Sequence, residues 1–488
     1  MYNLSMSLIS KHSKFVLIVL TLCLLYFATR LYNISELPLF TDEAIYTRWS
    51  QIARFDANWR FISLTDGKQP SFVWINMIFM RFINDPLLSG RLVSVVSGFI
   101  GMVGIFLLAK EIFKSQKTGI IASIVYIIFP FTLVYDRMAL YDSLTATTLI
   151  WGLLFQILLV RKRRLDIALI LGFIMGFGVL TKSSAFFLVY LFPLSLLLFD
   201  FKQKNRSYEF AKWIALAGVS TILTYGFYSM LRLSPFFHII SEKNSIFVYP
   251  VKEWILHPLQ YFTGNWNGLV SWLSEYSTLP FLAIIFVSFL LGGKKFIREK
   301  LFLFLWFFGP FLALALFGKI LYPRFILFMT MPLLVLGSFT IWYLSENTKN
   351  SLLKIGILVL AFAFIIRSDF YVLTDFARAP IAKADTDQFI NGWPAGGGLE
   401  EVLTFLTEES KDKQIYVATQ GTFGSLPTYA TEIYLDENKN IKKRGIWPIP
   451  PEIPEDLLEK AKTMRVFFIF NDTPEPPPGW PVKLVAKY

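Results

Sequence analysis

The 488-residue chain has one cysteine and three histidines. A lone Cys23 excludes an intrachain disulfide and a cysteine-based metal site, and it leaves the redox compartment open. Charge is also scarce, at 17% of residues, and the sequence has no fixed-period repeat or low-complexity tract. So little charge excludes an ordinary soluble globular protein of this length. The hydrophobic share of 55% and mean hydropathy of +0.52 describe an integral membrane protein instead. Acids fall short of bases, giving a formal net charge of +12. That excess suits loops held against an anionic leaflet and requires no nucleic acid partner. The 50 Phe and 13 Trp fit lipid-facing helices with aromatic belts.

Apolar runs lie at 15–29, 88–109, 118–134, 143–160, 165–181, 184–200, 210–231, 278–292, 301–318, 325–344 and 352–370. They give about eleven spans, each near the ~20 residues that a bilayer core requires. No small-residue cleavage pattern follows the first run, which reads as a retained helix and not a signal peptide. Basic clusters at Lys110 to Lys114, Arg161 to Arg164, Lys202 to Arg206 and Lys294 to Lys300 fall on alternate loops. The positive-inside rule makes their side cytoplasmic, together with the N-terminus. The opposite side then holds the loops 31–87 and 232–277 and the tail. The expected fold class is a polytopic α-helical membrane protein with a small C-terminal α/β soluble domain. Its expected domains are 1–370 in the membrane and 371–488 outside.

The first outer loop predicts a helix from Thr41, with the Thr41 hydroxyl as its cap and Asp42 and Glu43 in the first turn, where the helix dipole favours acids. A second amphipathic stretch, Pro70 to Ile83, is expected along the membrane surface. In the tail, helices are expected near 400–409, 426–434 and 455–463, and strands near 414–419, 443–446, 465–470 and 482–486. Gly421 and Gly424 after the first of these strands loosely resemble a phosphate loop, but the full dinucleotide fingerprint is absent and an ordinary turn is the expectation.

Acids and bases recur on the outer face: Asp42-Glu43, Lys68-Gln69-Pro70, Asp136-Arg137 with Asp142, Lys182, and Lys319 with Arg324. A carboxylate there can take a proton from an acceptor, while Lys and Arg neutralise a departing phosphate. Such a pattern fits glycosyl transfer from a lipid-phosphate sugar, whose isoprenoid tail stays in lipid while its sugar reaches water. Each group also has a structural reading. Asp42 can serve as a helix cap, Lys182 as a helix-end cation at the interface, and Arg137 with Asp142 as an ion pair.

The motifs and their order resemble the GT-C membrane glycosyltransferases, in the branch of protein O-mannosyltransferases and lipid A aminoarabinose transferases. The matching segments are Phe40-Thr41-Asp42-Glu43-Ala44, Gly67-Lys68-Gln69-Pro70, Arg137-Met138-Ala139-Leu140-Tyr141-Asp142, Leu180-Thr181-Lys182 and Tyr322-Pro323-Arg324. The resemblance spans residues 1–370 and implies an inverting transferase. In it Asp42 is general base or acceptor-positioning carboxylate, with Glu43 beside it. Lys68 and Arg324, with Lys182 and Lys319, would bind the donor phosphate; Asp142 would position the sugar or a first-loop residue, and Arg137 would orient that acid. Gln69 departs from the family pattern by replacing a proline. Some relatives bind a metal through an acid before the Lys and a distant His. Here Gly67 fills the acid's place beside Asp66, and only His238 and His257 lie on the long outer loop, so no metal site is assigned and a metal-independent mechanism is favoured over a divalent cofactor.

The implied partners are a polyprenyl-phosphate sugar donor, a lipid, glycan or protein acceptor, and membrane lipids. The implied location is the plasma membrane. A transporter or lipid flippase is the main rival and would need ionisable groups near the bilayer midplane and discontinuous helices. A membrane scaffold whose tail binds partners would leave the acidic pair unassigned.

Overall fold

The computed structural model describes residues 2–473 and 475–488, with side chains from residue 13 onward. Among them seven helices are long and apolar enough to cross a membrane: Ser13–Leu31, Pro86–Phe113, Tyr141–Lys162, Arg206–Leu233, Gly293–Phe317, Pro323–Asn347 and Ser351–Thr374. The pair Phe262–Ser277 and Leu279–Leu290, bent by 94°, counts as an eighth if taken as one span. Gln116–Ile128, Leu165–Val179 and Ser183–Leu198 are shorter apolar helices. The chain is a multi-pass integral membrane protein, and every apolar run read from the sequence is helical.

Three runs differ in form from the expectation. The run 118–134 is cut into Gln116–Ile128 and Pro130–Tyr135 by Pro130. The run 184–200 winds largely as the tighter 3-10 helix, at Ser183–Phe186 and Phe192–Leu198, with Pro193 in its second piece. The run 278–292 turns sharply at Thr278, whose φ of 61° no regular helix contains.

Contacts divide the chain into two compact units. One takes the residues up to Tyr32, then Ser63–Phe72 and Val93–Ala382; the other takes Asn33–Ile62, Val73–Leu92 and Lys383–Tyr488. A single cut near 370 is therefore not how the contacts fall, because most of the first long loop groups with the tail.

In the first unit, the break at Pro130 has a chemical consequence. Proline has no N–H to return to the carbonyl four residues back, so Tyr126 and its neighbours need other donors. Arg30, with no solvent exposure, donates to the carbonyls of Tyr126 and Ile127 and to Thr132 Oγ1. Its charge is met by Asp136 at 3.4 Å, which also accepts from Ser143, Tyr26 and Tyr126 hydroxyls. A buried pair with every valence used is rigid. Asp136 thus belongs to this knot.

The second unit carries a three-stranded parallel sheet, order β2-β1-β3, from β1 Ile415–Gln420, β2 Ile441–Ile446 and β3 Arg465–Ile469. Parallel neighbours need crossovers, which the helices Leu426–Leu435 and Glu455–Ala461 supply. Leu406, Ile415, Val417, Leu435 and Ile441 form its apolar core. The strand expected at 482–486 does not form. The segment begins after Pro481, which lacks a donor, and Val482, Leu484 and Val485 stay exposed, so pairing would bury no apolar face.

Gly98 lies so close to the Asp136 carboxylate that an added Cβ would collide with it, whereas Gly226 faces open space. Gly98→Ala should therefore lose about 1–3 kcal/mol by overpacking. Gly226→Ala should change little. Thermal unfolding of the detergent-solubilised variants checks the contrast, and equal midpoints would contradict it.

Candidate functional site

The helix Thr41–Phe55 opens on the acidic pair, and its two carboxylates have different fates. Glu43 is fully buried. Its Oε1 accepts from Arg91 Nε at 2.9 Å, and its Oε2 accepts from Arg91 Nη2 at 2.9 Å and from the Phe40 N–H at 3.2 Å. Arg91 spends its remaining donors on the carbonyls of Ile34, Leu37 and Pro38. Glu43 is anchored in this setting, with both oxygens occupied and its side chain buried. Asp42, one residue earlier, is partly exposed. The cap also differs from the expectation. Phe40 is the N-cap residue and Glu43 takes its N–H, while the Thr41 hydroxyl donates to the Pro394 carbonyl.

The proposed phosphate-binding cations belong to the first unit, where four sequence-distant segments meet. Lys68 lies in a strap fixed at both ends. Gly67, at φ 66° and with Lys243 where a Cβ would be, makes the turn that leads into it. Beyond it Gln69 donates to Ser183 Oγ at 2.8 Å, and Ser71 donates through its N–H to the Leu180 carbonyl and through its hydroxyl to Thr181. Gln69 thereby replaces the stiffness of a proline with a side-chain tie to the Leu180–Ser183 segment. In that segment Lys182 pairs with Asp142 at 2.7 Å.

A second pairing brings in the late loops. Residues 247–249 run antiparallel to 317–319, with Tyr249 N–H donating to Phe317 O and Lys319 N–H to Phe247 O, each at 2.8 Å. Phe247 then packs edge-on against Phe325, and Phe325 against Tyr322. On these rings sit the cations. Lys68 Nζ is 5.5 Å from Phe247, Lys182 Nζ 5.0 Å from Phe325, Lys319 Nζ 5.6 Å from Tyr249 and the Arg324 guanidinium 5.1 Å from Tyr322. Cations held on aromatic rings in this way suit an anionic group. The tyrosine ring beneath Lys319 is stacked on Tyr261, and desolvation, followed by its side-chain hydrogen bond with that neighbour, pushes the pKa of the Tyr249 hydroxyl up to about 12.

Arg137 makes backbone contacts elsewhere in the first unit. Its guanidinium donates to the Tyr32 carbonyl at 2.7 Å and to that of Val372, and the acid it was expected to orient is held by Lys182. Asp66, the nearest acid to the family's metal position, is paired with Lys243, and His238 Nδ1 donates to the Pro235 carbonyl. Among the described residues no three His, Cys, Asp or Glu side chains gather as metal ligands. Arg30 and Arg91 were missed in the sequence. Their signal was available, since each is a guanidinium at the edge of an apolar run.

The tail loop after β1 is an ordinary turn. Gly421 N–H bonds to Ile446 O, Ser425 Oγ to Gln420 O and Thr428 Oγ1 to Gly421 O. Nearby the Gln420 side-chain oxygen accepts from the N–H groups of Asn471, Asp472 and Thr473, occupying donors that an anion would need.

The fold is similar to that of the solved structures of ArnT and of an archaeal oligosaccharyltransferase. A family model described as dolichyl-phosphate-mannose-protein mannosyltransferase matches residues 67–225, the stretch that carries Lys68, Arg137, Asp142 and Lys182. The crystal structure of ArnT from Cupriavidus metallidurans bound to undecaprenyl phosphate is similar at a TM-score of 0.54 and 16% identity, covering 93% of this chain and 95% of that one. The Archaeoglobus fulgidus oligosaccharyltransferase tethered with an acceptor peptide is similar at a TM-score of 0.52 and 13% identity, covering 88% of this chain and 63% of its own. The oligosaccharyltransferase AglB from Archaeoglobus fulgidus, in complex with an inhibitory peptide and a dolichol-phosphate, gives a TM-score of 0.53 at 13% identity over 87% of this chain and 64% of that one. At these identities the likeness is one of fold. No curated protein sequence matches the chain.

The role of Glu43 can be checked by stability. Arg91→Ala strands a buried carboxylate and should cost about 3–5 kcal/mol. A large drop in the thermal midpoint of the purified variant is the expected result; an unchanged midpoint would show that Glu43 is not held by this pair.

Proposed function

We propose that the protein transfers a sugar from a polyprenyl-phosphate donor to an acceptor on the noncytoplasmic face of its membrane. The observation that carries this reading is the group of four cations around Phe247, Tyr249, Tyr322 and Phe325, most of them polar tips on apolar rings. A lipid phosphate needs that combination, because its head is anionic and its tail stays in hydrocarbon. The family match over 67–225 and the shared fold support it.

In this reading an acceptor oxygen or nitrogen attacks the anomeric carbon of the donor. The bond from that carbon to the phosphate oxygen breaks, and its electron pair leaves with the phosphate. Asp42 takes the acceptor's proton, while Lys68, Lys182, Lys319 and Arg324 oppose the charge growing on the leaving group. A single displacement of this kind inverts the anomeric centre. The transferred group is a hexose or pentose, and the acceptor is a lipid, glycan or protein. No step requires a metal.

Asp42→Asn keeps the side chain's size but cannot accept the proton, so purified enzyme should lose about 10²–10⁴ in kcat. Near wild-type turnover would remove Asp42 from the role. Arg324→Lys keeps charge but loses the planar fork, and Lys68→Ala loses charge altogether. At least one should lower kcat across donor concentrations, and wild-type kcat and KM in both would refute the phosphate site. The topology is tested separately in a Cys23→Ser background, where a membrane-impermeant thiol reagent on intact cells should label Asn391→Cys but not Lys204→Cys. Equal labelling would reject the orientation.

A further inference from the structure

The helix that begins at Thr41 is held along its length by the tail. At its start, the N–H and hydroxyl of Thr41 both donate to the Pro394 carbonyl, each at 3.0 Å. Phe40 bridges to Ala395, and its ring meets Phe389 edge-on at 5.0 Å. Two turns later Arg48 reaches Glu432 at 2.9 Å and Asp436 at 3.0 Å, both on or just after the tail helix Leu426–Leu435. Gln51 donates to the Ile433 carbonyl of that helix.

The loop that supplies Pro394 is itself stiff. Gly392 N–H bonds to Asp387 O, Ala395 N–H to Gly392 O, and Asn471 Nδ2 donates to the Trp393 carbonyl. Asp42 therefore sits between a residue fixed by the tail, Thr41, and one fixed by Arg91, Glu43. Asp436 is further tied to Lys443 at 3.0 Å. Burial works against its charge, but the Lys443 hydrogen bond and the Arg48 charge outweigh that and hold its carboxyl below the usual range.

We propose that the C-terminal α/β domain is a positioning element for the transfer reaction: through Pro394 at one end and Glu432 with Asp436 at the other, it sets where Asp42 stands. This rests on the reading of Asp42 as the base. A displacement on the order of 1 Å at a reacting group costs far more rate than binding, so the domain governs turnover and not donor affinity. Arg48, Glu432 and Asp436 are positioning residues, and their partial exposure means that the pairs add little to global stability.

The test compares purified full-length Arg48→Glu, Glu432→Arg and the paired exchange of both, alongside Glu432→Gln with Asp436→Asn as a variant that removes attraction without adding repulsion. Arg48→Glu should lower kcat about tenfold or more with the donor KM within about twofold, and the paired exchange should recover most of the loss. Hydrogen exchange of the first-turn amides after Thr41 should speed up in Arg48→Glu and slow again in the exchange. Wild-type kcat in Arg48→Glu and in Glu432→Gln with Asp436→Asn, a loss confined to donor KM, or a folded paired exchange with no recovery would each overturn the proposal. An inactive Asp42→Asn beside a fully active Arg48→Glu removes this proposal alone. Wild-type turnover in Asp42→Asn removes it together with the reading on which it rests.

Discussion

A carboxylate buried away from water must be paired, and two arginines without solvent exposure, Arg30 and Arg91, meet that demand for both acidic loops. Each does so twice over. Arg30 pairs with Asp136 and caps the carbonyls opened at the Pro130 break, while Arg91 pairs with Glu43 and caps three carbonyls of the chain that enters its helix. A single guanidinium has five donors in a fixed fork, so filling them selects one backbone arrangement out of many. Lysine could carry the charge but not that geometry. The loops are thus defined by cations far away in sequence.

The same constraint divides labour between the acids. In the loop 31–87, Glu43 is consumed by its arginine and Asp42 is left partly exposed. In the turn before Tyr141, Asp136 is consumed by Arg30, and Asp142 is met instead by Lys182, whose side chain is 28% exposed. The Lys182–Asp142 contact differs in kind from the buried ones. A lysine ammonium is a point charge on a flexible stem with three donors, so it can change partners without unmaking the fold. The two buried ion pairs here are arginine pairs, and Lys182–Asp142 is a lysine pair.

The spans were legible because a length near 20 apolar residues is a one-dimensional signal, and the tail's helices and strands because their periodicity is local. The order of the Lys68, Asp142, Lys182 and Arg324 motifs was legible for the same reason. Pairing was not. Nothing local tells Asp136 to choose Arg30 over its neighbour Arg137, since that choice follows from the carbonyls freed by Pro130 and from how three helices pack. Nor could composition reveal that the first long loop groups with the tail. The polar shift near residue 370 is a change of solvent and not a boundary of contacts, which join Thr41 to Pro394 across most of the chain.

The tail makes the same point about fold and use. Its β2-β1-β3 parallel order places a topological switch at the end of β1, where open α/β sheets commonly bind ligands. In this chain Gln420 fills that position from within, its oxygen taking three consecutive N–H groups and its amide donating to Thr473. A site whose donors are already satisfied gains little from a phosphate, so the resemblance of Gly421 and Gly424 to a phosphate loop ends at the backbone. The helix Leu426–Leu435, which starts a few residues past that turn, carries Glu432 and the Ile433 carbonyl to the helix that begins at Thr41. The working surface of this small domain is therefore the side of that helix and not the crevice of its sheet.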